Sequence, residues 1–197
     1  MKYKLLSLLL LLLIALPLFS QEISWQDFNE ERLRINRVGM QVLGGWALTN
    51  FAISGFSVWQ ASGETKAFHQ MNIGWNAVNI TLASFGYIHA MNAETDLGII
   101  ESIQAHESIM RIFLFNAGLD VGYLMGGAYL VERSRNADKN SERLAGFGKS
   151  VMIQGAFLLL FDGIMYFAHL HHENSQLVQL ISGLSFNLDG VSYTLRF

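Results

Sequence analysis

Two aspartates stand inside long apolar stretches of the sequence. Asp120 lies within FNAGLDVGYLMGGAYL, and Asp162 lies within the apolar run that follows Ser150. Neither stretch has a lysine or arginine near its centre that would neutralise a carboxylate. Because an isolated charge in apolar surroundings is unfavourable, Asp120 and Asp162 should be protonated, share one proton or hold a cation.

Amide side chains recur at helical spacing around these aspartates. Residues three, four or seven positions apart share one face of a helix, and each apolar stretch carries a polar face of this kind. Lipid does not accept such groups, so the polar faces should converge inside a helix bundle. We predict one polar layer within the membrane, formed by Asn50, Asn76, Asn79, Asn116, Asp120, Gln154 and Asp162.

This polar layer is compatible with two kinds of function. Neutral aspartates hydrogen-bonded to amides would act as a clasp that fixes helix packing, which favours a structural or partner-binding module. Carboxylates inside membranes also move protons or bind cations, so a small transporter or a proton- or cation-coupled protein using Asp120 and Asp162 is the alternative. A water-filled path to the aspartates would favour transport, whereas a dry, fully paired layer would favour the clasp.

Histidines form a second group of candidates. His89 and His169 should lie at the outer ends of the second and fourth apolar stretches, on the same side as His106. Imidazoles at one level are ligands for zinc, copper or haem iron, so a metal or haem site there is a second alternative. Its candidate ligands are His89, His169, His171 and His172, although their spacing matches no metal motif and no cofactor is predicted.

A tight connection on the opposite side, SGETKAFHQMN, combines Glu64, His69 and Asn72. Glu64 and His69 are a conceivable acid/base pair, but no nucleophile accompanies them, and a structural loop accounts for the same residues. The sequence has no Walker loop and no GxGxxG, HExxH or GxSxG motif. It also has no cysteine, which excludes thiol chemistry and disulfides. The sequence therefore favours a protein that is not an enzyme.

Composition indicates a membrane protein. Hydrophobic residues make up 51% of the chain and charged residues 15%, and the charges are concentrated in short segments between apolar runs. Lys2, Lys4, the apolar run to Phe19 and Ser20 are typical of a signal peptide over residues 1–20. Cleavage after Ser20 and retention as a fifth span both leave Gln21 outside. The net charge of -3 does not indicate a nucleic-acid partner.

Four further stretches have the length of about 20 residues that a helix needs to cross a bilayer. We predict an all-α membrane protein, a bundle of four transmembrane helices over residues 38–170, with spans at 38–59, 71–91, 112–131 and 150–170. Residues 21–37 should form a surface helix in which Glu30 pairs with Arg34. Residues 98–111 should either lie along the outer interface or extend the third span.

The tail, residues 171–197, predicts a short β-hairpin. Leu184, Phe186 and Leu188 alternate with polar residues, Asp189 and Gly190 supply a turn, and apolar residues alternate again after it. A lone hairpin is marginal in water, so its apolar face must rest on the bundle, on lipid or on a partner. A second contact surface is predicted on the third span, where small residues suit close packing against a neighbour or a second copy: Gly118, Gly122 and Gly126.

Three phrases carry a resemblance to a known family: GETKAFHQMNIGWNAVN, NAGLDVGY and GFGKSVMIQGAFLLLFD. They resemble an uncharacterised family of small bacterial proteins with a signal peptide and four membrane helices, a domain of unknown function. The resemblance covers residues 34–169 and brings no activity, cofactor or partner. It implies that the family pattern is carried by His69, Asn72, Asn76, Asn79, Asn116, Asp120, Gln154 and Asp162.

Basic residues set the expected orientation. The connection between the third and fourth spans is the richest in basic residues, with Arg133, Arg135, Lys139, Arg143 and Lys149. Basic loops are retained in the cytoplasm, which places this protein in the bacterial inner membrane with both ends of the mature chain outside.

Labelling of single cysteines tests this orientation, because the chain has no cysteine of its own. A membrane-impermeant thiol reagent should label Ala93→Cys in intact cells and should leave Asn140→Cys unlabelled until the cells are opened. The reverse pattern would show that the assigned orientation is wrong.

Overall fold

Four long helices make up most of the described chain. The computed structural model describes residues 23–182, 184–187 and 190–193. We number the long helices α1 to α4, and they span Trp25–Ser57, Gly63–Asn92, Ile99–Arg135 and Ser141–His172. The predicted signal peptide lies outside the described residues.

A capping box starts α1. The Ser24 hydroxyl accepts a hydrogen bond from the Asp27 amide, and the Asp27 carboxylate accepts one from the Ser24 amide, each at 3.0 Å. Hydrogen bonds from the Ser24 side chain and then from its backbone hold the pKa of Asp27 below its ordinary value. From this cap one continuous helix runs through both the predicted surface helix and the predicted first span.

The segment before the third span also joins its neighbour. Residues 99–111 are the first turns of α3, so the alternative in which they extend that helix is the one observed. The expected pairing of Glu30 with Arg34 is replaced by two other contacts. Arg34 pairs with Glu31 at 2.6 Å, and Glu30 accepts a hydrogen bond from Gln26 at 2.9 Å.

The chain continues past α4 in short elements. A π-helical turn at Glu173–Leu177 leads into α5 at Val178–Ser182. Strands β1, Leu184–Asn187, and β2, Gly190–Tyr193, pair antiparallel with Phe186 opposite Val191. Since Gly190 pairs with Asn187, Gly190 belongs to β2 and not to the turn as predicted, while Asp189 lies outside the described residues. What the apolar side of this tail rests on stays a prediction, because its side chains are not described.

The long helices pack as two antiparallel pairs. α1 packs on α2, α3 packs on α4, and α2 also packs along α4, whereas α2 and α3 have few direct contacts. We call the end with connections 58–62 and 136–140 the basic end. The end with connection 93–98, the start of α1 and the end of α4 is the histidine end.

The bundle is apolar outside and polar inside. Each long helix presents a large hydrophobic side chain that is about 70% exposed: Phe56 (73%), Phe85 (70%), Met125 (69%) and Ile164 (68%). Asn76 and Gln154 are fully buried instead. This distribution is the reverse of a water-soluble bundle, in which an exposed apolar surface of this extent would be unusual.

Two stretches of helix are long and apolar enough to cross a membrane. They are α3, Ile99–Arg135, and the helical run Ser141–Ile181 that begins with α4. Within the described residues, α1 and α2 do not meet the same test. The fold is therefore a bundle of four long helices, of which two have the composition of membrane spans.

Glycines bring α3 and α4 into backbone contact. A Cβ atom at Gly127 would lie 2.7 Å from the Gly148 carbonyl oxygen, and a Cβ at Gly148 would lie 2.6 Å from the Gly127 carbonyl oxygen. The predicted small-residue face is not used here, because a Cβ at Gly118, Gly122 or Gly126 would meet nothing within 4 Å. Its contact with a second copy stays a prediction.

Gly148→Ala should destabilise the bundle, because the added methyl group meets backbone that cannot rotate away. We expect a loss of about 1–3 kcal/mol, measured by thermal unfolding in detergent. Gly163→Ala is the matched control on α4, since a Cβ there meets nothing within 4 Å and alanine favours helix by about 1 kcal/mol. Equal losses in the two variants would contradict this account of the α3–α4 contact.

Candidate functional site

Asn72 lies at the centre of a polar network that joins three helices. Its Nδ2 donates to Ser54 Oγ at 2.8 Å and to Asn50 Oδ1 at 3.3 Å, both on α1. Its Oδ1 accepts from Gln154 Nε2 and, at 3.4 Å, from Ser150 Oγ, both on α4. One buried amide thereby connects α1, α2 and α4, and we call this group the Asn72 network.

Three more side chains complete the Asn72 network. Asn76 Nδ2 donates to the Asn72 carbonyl at 2.8 Å, and His69 Nδ1 lies 3.1 Å from Ser54 Oγ. Trp46 Nε1 donates to Gln154 Oε1 at 2.9 Å. The sequence analysis missed Trp46, although it lies four residues before Asn50 and therefore on the same helix face.

Asp120 on α3 and Asp162 on α4 meet across the helix interface. They are 2% and 4% exposed, and their carboxyl groups interact with each other. Two ionised carboxylates repel each other, so this buried contact favours a proton on one of them. Asn116, one turn before Asp120, also interacts with Asp162. Of the arrangements expected for these aspartates, the geometry supports the shared proton, and we call the two residues the carboxyl pair.

A cleft of about 660 Å³ leads to the carboxyl pair. Its walls come from α2 and α3, where Trp75 and Tyr123 are in edge contact with ring centroids 4.8 Å apart, and α4 contributes to its base. Val78 and Leu82 line the cleft and are each 58% exposed, so the cleft opens sideways onto the apolar surface. Its volume is within the range of small-molecule pockets.

Two polar atoms among the residues that line the cleft have no hydrogen-bond partner in the described part of the chain. They are Asn79 Nδ2, a donor, and Asp120 Oδ2, a carboxyl oxygen. A buried polar atom without a partner costs about 1–3 kcal/mol. A bound group that accepts from Asn79 and hydrogen-bonds to Asp120 would remove that cost.

The predicted single polar layer is two clusters at different depths. Gln154 and Asp162 lie eight positions apart on α4, which is about 12 Å along a helix axis. The level of Gln154 holds the Asn72 network, including Asn50 and Asn76. The level of Asp162 holds the cleft residues Asn79, Asn116 and Asp120.

Glu64 and His69 do not form an acid/base pair. They are five positions apart on α2, so they point about 140° apart around the helix. Glu64 is ion-paired with Lys149, near the start of α4, while His69 contacts Ser54. Both side chains join helices at the basic end, and the predicted loop is wrong because Glu64, His69 and Asn72 lie in the first turns of α2.

The predicted metal ligands do not form one site. The side chains of His89 and His171 are exposed, whereas His169 and His172 are buried beside His106. No group of three or more histidine, aspartate or glutamate side chains in the described residues is arranged to hold a metal ion. The four proposed ligands therefore do not lie together in the described residues, because the helices turn two of them outward.

Comparison with known proteins identifies the family but no activity. Residues 42–163 match a family described as "Family of unknown function (DUF6992)". The match covers more than half of the chain, so the protein belongs to this family, and the expected resemblance to an uncharacterised family is confirmed. No curated protein and no solved structure matches the chain. The matched region contains the Asn72 network and the carboxyl pair.

Asn72→Leu should destabilise the protein strongly. The substitution leaves Gln154 Nε2 and Ser54 Oγ without their amide partner, so we expect a loss of at least about 1–3 kcal/mol in thermal unfolding experiments. Asn92→Leu is the matched control, because the exposed Asn92 side chain bonds only to the Ile88 carbonyl of its own helix. Similar stabilities of the two variants would argue against the network as the element that joins α1, α2 and α4.

Proposed function

We propose that this DUF6992 protein lies in a membrane and binds a lipid-soluble molecule with a neutral, hydrogen-bonding head group. The binding site is the cleft between α2 and α3. The observation that carries the proposal is the combination of apolar walls with two unpartnered polar atoms, Asn79 Nδ2 and Asp120 Oδ2, among the residues that line them.

The surface of the bundle supports a location in the membrane. All four long helices present large apolar side chains outward, not only the two that pass the test for membrane spans. Buried amides, among them Asn72, Asn76 and Asn79, lower the hydropathy of α2 although they do not face outward. We therefore propose four spans, in an inner membrane, with the basic end in the cytoplasm.

The shape of the cleft favours a ligand with an extended apolar part. On α2 the lining residues run from Met71 to Leu82, eleven positions apart or about 16 Å of helix. The exposed rim residues would touch lipid in the proposed orientation, so a ligand would enter from the bilayer without crossing water. An apolar chain in this cleft replaces contacts with lipid by contacts with protein.

The polar atoms favour a neutral head group. Asn79 Nδ2 requires an acceptor, while Asp120 Oδ2 accepts as a carboxylate and donates or accepts when protonated. A hydroxyl group satisfies both atoms in either protonation state. An anionic head group would face the carboxyl pair, which carries a negative charge whenever only one proton is shared.

The structural hypothesis and the binding hypothesis apply to different levels of the bundle. The Asn72 network is densely hydrogen-bonded and has the properties of the clasp. The carboxyl pair borders a cleft and is only partly satisfied. A clasp alone would have no need of the cleft, so we assign binding to the level of Asp162.

Proton or cation handling by the carboxyl pair is the second candidate function. It is favoured by the contact between Asp120 and Asp162, because two buried acids that interact favour a proton on one of them. The cleft walls are mainly apolar, however, and a lateral opening toward lipid provides no polar path along the bundle axis. Binding is therefore the better supported function.

Trp75 provides a direct test, because its indole lines the cleft. Brominated dodecanol and brominated dodecane quench tryptophan fluorescence and differ only in the head group. In detergent micelles the alcohol should quench Trp75 saturably, whereas the alkane should quench in proportion to its concentration in the micelle. Subtracting the signal of Trp75→Phe isolates this residue from the other three tryptophans of the chain.

Two substitutions at Asp120 separate the candidate functions. Asp120→Asn keeps a hydrogen-bonding side chain and should retain saturable quenching by the alcohol within a few-fold, whereas Asp120→Leu should abolish it. For proton handling, both substitutions should stop proton flux into proteoliposomes, and the asparagine variant should have no advantage. Unsaturable quenching by the alcohol in the wild-type protein would overturn the binding proposal.

A further inference from the structure

Three buried imidazoles meet at the histidine end, away from the cleft's polar base. His106 comes from α3, and His169 and His172 come from the last turns of α4. The ring centroid of His106 lies 5.6 Å from that of His169 and 5.5 Å from that of His172. His106 and His169 are fully buried and His172 is 3% exposed. The proposed binding function uses none of them.

Hydrogen bonds define the protonation of two of these rings. His169 Nε2 lies 3.0 Å from Asn36 Oδ1, and His172 Nε2 lies 3.0 Å from the Phe28 carbonyl oxygen. Both partners are acceptors, so each Nε2 carries a hydrogen. A second hydrogen on Nδ1 would have no acceptor among the described residues, so this arrangement fits neutral imidazoles.

The cluster offers no hydrogen-bond acceptor for the N–H group that protonation of a ring would create. The Nδ1 atoms of His169 and His172 and both ring nitrogens of His106 are buried without a hydrogen-bond partner among the described residues. A protonated imidazole donates from both nitrogens, so each added proton would create a buried charge and an unsatisfied donor.

Neighbouring charges mostly oppose protonation. Arg32 of α1 is buried beside the cluster. Burial lowers the pKa of its guanidinium, which nevertheless stays charged. Its positive charge opposes a proton on each of the three rings. His171 also opposes a proton on His172. In the other direction, Glu31 favours a proton on His172 but is paired with Arg34. Glu173 Oε2 lies 3.8 Å from His106 Nε2, which is too far for a hydrogen bond. The backbone of His169 favours a proton on His106.

The same imidazoles hold the start of α1 against the rest of the bundle. Phe28 stacks on His172 with centroids 4.4 Å apart and planes 20° apart, and it contacts His106 at 5.2 Å. Asn36, two turns later, holds His169. The first three turns of α1 are thus held partly by contacts with neutral rings of α3 and α4, and partly by the hydrogen bond from Asn29 to Ser102.

From this geometry we propose that His106, His169 and His172 form an acid-sensitive latch that closes the first turns of α1 onto α3 and α4. Above the ordinary imidazole pKa of about 6.5 the rings are neutral and the latch is closed. Acidification protonates the rings and releases residues 25–36 from α3 and α4. The latch acts whether or not a ligand occupies the cleft.

Proton linkage gives the sign and steepness of the effect. Only the open form exposes imidazoles that bind protons near pH 6.5, so the open form binds more protons than the closed form below that pH. The ratio of open to closed protein therefore rises as pH falls, by up to about tenfold per pH unit for each imidazole that is released.

Spin labels at two exposed positions, Gln26→Cys on α1 and Gln104→Cys on α3, report the latch directly. The full chain in lipid nanodiscs should give one short, narrow distance distribution at pH 8. Between pH 6.5 and 4.5 a longer, broader population should appear and should disappear on return to pH 8. An unchanged distribution across this range would overturn the proposal.

Two variants move the transition in opposite directions, which a merely structural cluster would not do. His106→Phe keeps an aromatic ring, loses no hydrogen bond and removes one titrating group, so the open fraction at pH 5 should fall on the order of tenfold. Glu173→Gln removes a carboxylate 3.8 Å from His106 that favours a proton on this ring in the closed form, so opening should shift to higher pH. A shift of Glu173→Gln to lower pH would contradict the latch.

His89→Phe is the matched control, because His89 is an exposed histidine on α2 outside the cluster. It should leave the pH dependence unchanged. An equal response of His89→Phe and His106→Phe, or a wild-type response in His106→Phe, would show that other groups cause the opening and would overturn the latch.

Discussion

Polar side chains that are shielded from water must find hydrogen bonds within the protein, and this requirement organises the interior of the bundle. Asn72 meets it with partners on both neighbouring helices, so its amide determines how α1, α2 and α4 are aligned. A shift of one helix turn along any of these axes would break several of those bonds together. The apolar outer surface adds no such register, because apolar contacts are not directional.

The same requirement is incompletely met at the level of Asp162. Backbone contact between Gly127 and Gly148 draws α3 against α4, and α3 has few contacts with α2. Asn79 lies on α2, and α3 across the cleft is too distant to accept a hydrogen bond from its Nδ2. Asp120 of α3 likewise keeps one carboxyl oxygen without a hydrogen-bond partner among the described residues. The close packing of one helix pair thus leaves an open space beside another, and two polar atoms in that space define what a ligand must offer.

Helical spacing was sufficient to predict the long helices and which residues face inward, because both follow from local periodicity. It was insufficient to predict which inward faces meet, since that depends on distances between helices. Asn50 was expected beside Asp120, but it bonds to Asn72 because the α1–α2 pairing brings those two residues together. His89 and His171 lie at the predicted ends of their helices, but their side chains face outward. Trp46 was missed because the search for polar faces followed amide, hydroxyl and carboxyl groups, whereas a tryptophan within a span also suits apolar packing.

Phe113 connects the histidine cluster with the cleft, because its ring contacts His169 and also lines the cleft. It stacks on His169 with centroids 5.7 Å apart and also lines the cleft, together with Met40 and Leu43 of α1. The wall of the cleft at the histidine end is thus built from residues whose positions depend on how α1 meets α3 and α4. A ligand that contacts this wall stabilises the closed arrangement, and by linkage closure strengthens binding by the same factor. Acid that releases α1 must then weaken binding even though no imidazole touches the ligand.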